Sequence, residues 1–556
     1  MKRSGSQVLL ELLRQEGVEY IFGNPGTTEL PLVDALVRER EIRYLLGLHE
    51  GVAMSMADGY AQASGRLAMV NVHVSPGLGN AMGMLYDALK SAAPVLVTAG
   101  QHDQSVSATE PILWSELPPV ARPFVKWAGE VRRLADLPRL VHRAAKTALA
   151  HPTGPVFLSL PADVLNQSGE VELGAPSRVA RRVAGERAAI EEAAALLAGA
   201  ERPLLVAGDW VAHGDALAEL VELAETLGAP VLSESFAGTC NFPFRHPLHA
   251  GSMPRPAPRI RARLAQHDVV LAVCGPVFML PLPSDEEPIP PGVSVLHLDV
   301  DPWEIGKNYP AKIGIQGDPK ATLPLLCEAV RRAGGKALGA AAGERRAQIG
   351  AAHRKARDEL VARARAEAAG SPMSALAFSQ ALADALPEEA VLVDESISIS
   401  SSGVLRQLLA CADAKSFFGP RGGGVGWGIP AALGVKLGLP RRPVVALIGD
   451  GSALYSWQGL WTAAHERIAV VFLVLNNGCY RILKERALAL KGYSAADKRF
   501  VGLDIEDPAV DFVALAAALG VQGERVGEAG ALGAALRRAL GAGRPYVIDV
   551  AIAQGL

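Results

Sequence analysis

Asp450 and Asn477 stand just beyond two apolar runs, Val444 to Ile448 and Ala469 to Leu475, and small turn-forming residues follow each: Gly451-Ser452 and Gly478. A carboxylate, an amide oxygen and a nearby backbone carbonyl, that of Cys479, are hard oxygen donors suited to Mg²⁺ or Ca²⁺. No thiolate or imidazole is needed. The N–H groups of Gly451, Ser452 and Ala453 would open a helix toward the same place, where an anion is favoured and glycine permits close backbone approach. A metal beside an anion describes a metal-bound phosphate. An Asp-Gly after a strand is by itself only a turn. A second polar strand end one unit later makes the pair much more specific.

For the two polar ends to meet, the runs must be neighbouring parallel strands. Short runs rich in Val and Ile read as buried strands. Between them Leu460, Trp461, Ala464 and Ile468 recur at helical spacing. The result is a βαβ unit, which places both carboxyl ends on one edge of a sheet.

A second set of polar strand ends lies near the N-terminus. Strands are expected over Tyr20–Phe22, Ile42–Leu48, Ala68–Val72 and Pro94–Thr98. The first ends in Gly-Asn-Pro-Gly-Thr27-Thr28-Glu29, the second in His49-Glu50-Gly51, and the third in His73 with a Gly- and Pro-containing turn to Asn80. Such turns at several strand ends are the makings of a ligand crevice in an open parallel sheet. Each residue also has an ordinary structural reading. Glu50 could satisfy a helix N-terminus, His73 could be a hydrogen-bonded turn residue, and Thr27 or Thr28 could cap the helix opening at Glu29. The order of helices, strands and turns around residues 56–98 returns around 427–475, which reads as two copies of one fold at the two ends of the chain.

With 556 residues the chain has room for about three or four domains. Alternating helical and strand patterns predict an α/β protein of three doubly wound parallel-sheet domains. Their expected ranges are 1–165, 189–330 and 371–556, with a linker over 166–189 and a charged connecting helix over 331–370. Half the residues are apolar, one-fifth are charged and the net charge is −3, with no basic stripe, which argues against nucleic acid. Five scattered cysteines without a CxxC fit reduced thiols in the cytoplasm, and no apolar run is long enough to span a membrane. The middle region lacks a G-x-G-x-x-G after a strand, so a dinucleotide site there is disfavoured and a spacer role expected.

With GDGS and NN in place, the chain resembles the thiamine-diphosphate decarboxylase and acetolactate synthase superfamily over nearly its full length, and most of all its benzoylformate decarboxylases. The likeness rests on FGNPGTTELP, Glu50 with ADGYAQASG, NVHVSPGLGNAMG, TAGQ, GGGVGWGIPAALG, GDGSALYSWQGLWTAA and NNGCYRIL. It implies thiamine diphosphate as cofactor, held through Mg²⁺ (or Ca²⁺) on Asp450, Asn477 and the Cys479 carbonyl. Gly451, Ser452 and Ser398 join the cofactor-binding set. Val425 would wedge the cofactor into a bent shape while the Gly423 carbonyl receives its amino group; the bland alternative makes Val425 plain core. Glu50 would share a proton with the aminopyrimidine ring, His73 would act as acid and base, and Thr27 would bind the substrate carboxylate in place of a family Ser.

The reaction implied is nonoxidative decarboxylation of a 2-oxo acid, a carbon–carbon lyase activity. Carboligation, acyloin cleavage or acetolactate synthesis is the alternative, with an aldehyde as further substrate. FAD is disfavoured. A homodimer is the smallest active unit implied, and a homotetramer is expected, without membrane or nucleic-acid partners. Two departures concern substrate. Pro281 stands where the relatives carry a catalytic His, and Arg486 where they carry a Phe; turned inward, Arg486 would favour a second carboxylate or another polar group over a bare phenyl ring, so a polar or short-chain substrate is expected. Lys484, in the same Lys-Glu-Arg run, reads as a solvated helix face.

Overall fold

The computed structural model describes residues 2–400 and 403–555. Met1 and Leu556, the ends of the expected terminal domains, lie outside the described residues. The chain divides into two compact units, one made of residues 1–179, 389–398 and 420–556, the other of 180–388 and 399–419.

The first unit contains two parallel sheets. In the N-terminal one, β1 (Tyr20–Gly23), β2 (Arg43–Leu46), β3 (Ala68–Val72), β4 (Val95–Gln101), β5 (Ala128–Glu130) and β6 (Val156–Pro161) lie in the order β2-β1-β3-β4-β6-β5. Helix α1 (Glu50–Ser64) leads into β3, and α2 (Val74–Lys90) connects β3 to β4. Strand order reverses around β1 and β3, so the crevice at their carboxyl ends receives the residues after each strand.

In the second unit, β7 (Pro203–Ala207), β8 (Val231–Ser233), β9 (His249–Ser252), β10 (Val269–Val273), β11 (Ser294–Asp299) and β12 (Ile313–Gln316) form a parallel sheet ordered β9-β8-β7-β10-β11-β12. Both of its faces are covered by apolar cores. The expected connecting helix is α3 (Pro319–Ala366), kinked where Gly335 takes positive φ.

The C-terminal sheet belongs to the first unit. Its strands β13 (Val391–Glu395), β14 (Val444–Gly449), β15 (Val470–Asn476), β16 (Gln522–Val526) and β17 (Tyr546–Ala551) run in the order β13-β14-β15-β17-β16. This repeats the N-terminal order β1-β3-β4-β6-β5, in agreement with the internal repeat. Helix α4 (Gly428–Gly438) precedes β14 as α1 precedes β3. The two helices pack face to face: a Cβ on Gly434 would fall 1.9 Å from the Met56 carbonyl oxygen, and one on Gly59 2.2 Å from that of Ala431. Only glycine allows such backbone contact, which explains the small-residue composition of both helices.

Several boundaries differ from expectation, the connecting helix beginning at Pro319 rather than residue 331 among them. Helix α1 begins at Glu50 rather than Met56, and α2 begins at Val74 where a turn to Asn80 was expected. Pro76 lies in the first turn of α2, where a missing amide costs nothing, so the Ser-Pro-Gly sequence imitates a turn without making one. No helix among the described residues is long and apolar enough to cross a membrane.

Candidate active site

Glu50 is the first residue of α1, yet it does not cap the helix. His49 does so, its Nδ1 accepting the Gly51 amide at 3.0 Å. The Glu50 carboxyl, 5% exposed, accepts the Asn24 side-chain amide at 3.2 Å on Oε1 and that of Asn80 at 2.9 Å on Oε2. Two neutral donors from separate elements fix its plane. Because residues 74–80 are helical, Asn80 and Gly77 stand over Glu50, and a Cβ on Gly77 would lie 3.2 Å from Oε1. The Tyr44 phenol is pushed up by burial and then by the negative potential of Glu29 and Glu50, so it stays neutral beside them.

His73 ends β3 and meets Glu29 rather than Thr27. Its Nδ1 lies 2.8 Å from Glu29 Oε2, with Thr28 Oγ1 3.1 Å away. Glu29, 1% exposed, also accepts the Gly26 amide at 2.9 Å, the Gly100 amide at 2.8 Å and the Thr28 hydroxyl at 2.8 Å. With every donor aimed at the carboxylate, the assigned tautomer of His73 carries its hydrogen on Nδ1 and leaves Nε2 to exchange a proton. Gly26 and Gly100 make room: a Cβ on the first would lie 2.3 Å from the His73 ring, and on the second 2.1 Å from Glu29 Oε1. Sequence reasoning missed Glu29 as an orienting group, having read it only as a helix start. Thr27 opens a short 3₁₀ turn on the surface of the chain, and neither threonine makes a capping hydrogen bond.

Replacing Glu29 by Gln keeps the shape and removes the charge that holds the Nδ1 tautomer. The expected result is a fall in kcat of about ten- to a hundredfold with little change in KM, the range measured for orienting partners of functional histidines. Nitrogen-15 NMR of His73 should show a mixture of tautomers; a spectrum identical to wild type would defeat the assignment.

The βαβ unit delivers Asp450 to Asn477 as expected. Strand register pairs Gly449 with Leu475, and the 3% exposed Asp450 carboxylate accepts the amides of Asn477 at 3.0 Å and Gly478 at 2.7 Å on Oδ2, and its neighbour Gly451 at 2.8 Å on Oδ1. Asn477 Oδ1 accepts the Cys479 amide at 3.0 Å. The Cys479 carbonyl accepts Arg481 N–H at 2.9 Å and keeps a second lone pair. Burial pushes the Asp450 carboxyl up, opposed by those backbone amides. A divalent cation would return it fully to the ionised form, and the donors are all oxygen, so the residues fit Mg²⁺ or Ca²⁺.

Helix Asp450–Ala453 supplies Gly451 and Ser452, and the Ser452 hydroxyl reaches the buried Glu395 at the end of β13. Ser398 lies three residues further on, in the short helix Ile397–Ser400. Gly423 has φ of +81°, and Val425 is half-buried rather than core. Among the described residues, no hydrogen bond or ion pair of Glu50 or His73 reaches Asp450 or Asn477; the two groups are separate constellations within one chain. Arg486 is exposed on helix Arg481–Ala489. Lys484 corrects its expectation: it is buried, ion-paired to Asp504, with its ammonium 5.4 Å from the centre of the Phe500 ring.

Two repeated parallel sheets, one ending in oxygen donors that fit a divalent cation and the other in a shielded, non-capping glutamate, set the class to which the chain is compared. The chain belongs to the thiamine pyrophosphate enzymes: residues 3–113 match the family's "N-terminal TPP binding domain", 190–326 its "central domain" and 400–550 its "C-terminal TPP binding domain". It is 35% identical to the benzoylformate decarboxylase of Pseudomonas aeruginosa over 97% of both chains. It is 31% identical to a putative acetolactate synthase large subunit of Mycobacterium tuberculosis over 99% of both. The structure of a thiamine diphosphate-dependent 4-hydroxybenzoylformate decarboxylase from Rhodococcus jostii matches 99% of both chains with a TM-score of 0.86 at 32% identity. The chain is thus a homologue of thiamine-diphosphate-dependent 2-oxo-acid decarboxylases.

Proposed function

We propose that this protein decarboxylates a 2-oxo acid, with thiamine diphosphate and Mg²⁺ bound. Asp450, Asn477 and the Cys479 carbonyl hold the cation; the Gly451 and Ser452 amides, with Ser398, hold the diphosphate. The Gly423 carbonyl and the Val425 side chain orient the aminopyrimidine end. When bound, the cofactor would supply a nucleophilic thiazolium carbon and a sink for the electron pair that departing CO₂ leaves behind. Glu50 shares its proton with the aminopyrimidine ring, His73 Nε2 exchanges a proton with the reacting carbon or its oxygen, and Thr27 binds the substrate carboxylate. The observation that carries the reading is Glu50: buried at a helix start yet relieved of capping, it is held by Asn24 and Asn80 for proton exchange.

Glu50 and Asp450 make no contact with each other, which supports a site completed across two subunits and so a homodimer at least. Each protomer would lend its N-terminal residues to the other's cofactor. Likeness to an acetolactate synthase large subunit supports a second outcome, in which the activated substrate is passed to an aldehyde or another 2-oxo acid.

A panel of 2-oxo acids, assayed for CO₂ with and without added aldehydes, tests the reading. The expected substrate is polar or short-chain rather than benzoylformate: Pro281 replaces a family acid/base His, and Arg486, exposed in this chain, would add to the preference only by turning inward. A benzoylformate preference of about a hundredfold in kcat/KM, about 2.7 kcal/mol, would overturn that choice. Absence of CO₂ release from every member would overturn the decarboxylase reading itself.

A further inference from the structure

One face of α2 carries Asn80, Met84 and Asp87, spaced so that the three side chains stack over two helical turns. Asn80 holds Glu50. Asp87 meets the Gly-rich loop Arg421–Trp427 that precedes α4. It is fully buried; the Gly424 amide donates to its Oδ1 at 3.2 Å and the Gly422 amide faces the same carboxyl, while Oδ2 makes no hydrogen bond. A Cβ on Gly422 would fall 2.2 Å from Oδ1, and one on Gly424 2.3 Å from Oδ2 and 3.1 Å from the Met84 methyl. These two glycines are therefore required by the Asp87 side chain. Beyond them the loop is held by other buried acids: the Gly426 and Gly428 amides each donate to Glu395 at 2.6 Å, and the Trp427 indole to Asp58 at 2.6 Å.

We propose that Asp87 is a positioning residue for the cofactor-holding loop, pinning Gly422 to Gly424 as an uncharged carboxylic acid. The pinning stands on geometry; its consequence for the cofactor rests on the assignment of Gly423 and Val425 above. An ionised carboxylate would leave a charged oxygen buried without a donor, whereas the acid form carries hydrogen on Oδ2 and keeps Oδ1 as acceptor. The largest charged influences on Asp87 are Asp58 from α1 and Glu395 from β13, both acidic; Arg421 adjoins Gly422 on the loop, and on the Asp87 helix the Lys90 ammonium lies over the Tyr86 ring, 5.3 Å from its centre. Burial, followed by these two neighbours against the loop amides, pushes Asp87 up to about 8. Burial likewise pushes Asp58 up to about 6 and Glu395 to about 7. The folded chain thus binds the Asp87 proton more tightly than the unfolded chain does. The stabilisation of the pinned loop by this proton is complete only below the ordinary carboxylate range and is lost progressively as pH rises from there through about 8, the Gly422 and Gly424 amides opposing the loss.

The test uses the cofactor-free protein and the variants Asp87→Asn and Asp87→Ala. Hydrogen exchange of a peptide covering residues 421–428, corrected for intrinsic rates, should lose about tenfold protection in wild type between about pH 7 and about pH 9. Asp87→Asn, which is neutral at every pH, should keep its protection to within about twofold, and Asp87→Ala should be loose at both pH values. Thiamine diphosphate affinity should follow the same pattern. A pH response in Asp87→Asn equal to wild type, or full protection in Asp87→Ala, overturns the proposal. A loop that responds as expected while cofactor affinity does not would overturn the roles given to Gly423 and Val425 and leave the pinning established.

Discussion

Glu50→Gln should keep thiamine diphosphate bound and lower turnover by about a thousandfold, about 4 kcal/mol of barrier. The contacts proposed for the cation and diphosphate lie in another domain, so affinity should change little. A glutamine amide cannot pass a proton to a ring nitrogen, and it would turn a donor NH₂ toward Asn24 or Asn80, both of which already donate to Glu50. Proton exchange at the thiazolium C2 position of bound cofactor, followed by NMR, isolates this step from substrate chemistry. Exchange at the wild-type rate would remove Glu50 from the mechanism whatever happened to kcat.

Asp450→Ala should weaken cofactor binding by about a hundredfold or more, about 2.7 kcal/mol, and abolish its dependence on Mg²⁺. Two effects act together. The cation would lose its one charged ligand, and the amides of Gly451, Asn477 and Gly478 lose their common acceptor, at about 1–3 kcal/mol for the buried Gly451 amide and less for the two partly buried ones. Asp450→Asn separates them in part, since its amide oxygen can still accept from Asn477 and Gly478 while its NH₂ faces the single Gly451 amide and the charge is gone; its binding should be weak and its fold less disturbed than that of Asp450→Ala. Calorimetry with and without Mg²⁺ decides, and unchanged affinity in Asp450→Ala would refute the metal assignment. Mixing Asp450→Ala with Glu50→Gln chains should restore part of the activity if each site draws on two protomers, because one site of the hybrid carries both defects and the other neither.

Legibility in the sequence followed the range of the interactions involved. The strands around 444–449 and 470–476 and the meeting of Asp450 with Asn477 were determined locally, since apolar runs, turn residues and the single favourable hand of a βαβ crossover leave one arrangement. Glu50 and His73 stood out as polar residues at strand ends, but the roles expected of them came from the family resemblance. The repeated succession of helix, strand and turn at the two ends of the chain was also readable, while the strand order it produces came from the fold.

What orients those residues was decided only in three dimensions. Glu29 reaches His73 across 44 positions and Gly100 across 71, and Asp87 reaches Gly424 across 337; no local pattern encodes such partners. The start of α2 was hidden because Pro and Gly in a first helical turn look like a loop, although a helix leaves its first amides unpaired anyway. Lys484 was misread for a related reason. A charged run on a helix is solvated unless another segment covers it, and the covering residues, Phe500 and Asp504, come from beyond the helix itself. The chain's own chemistry therefore determined which groups could react, and tertiary packing decided which atoms of those groups are free to do so.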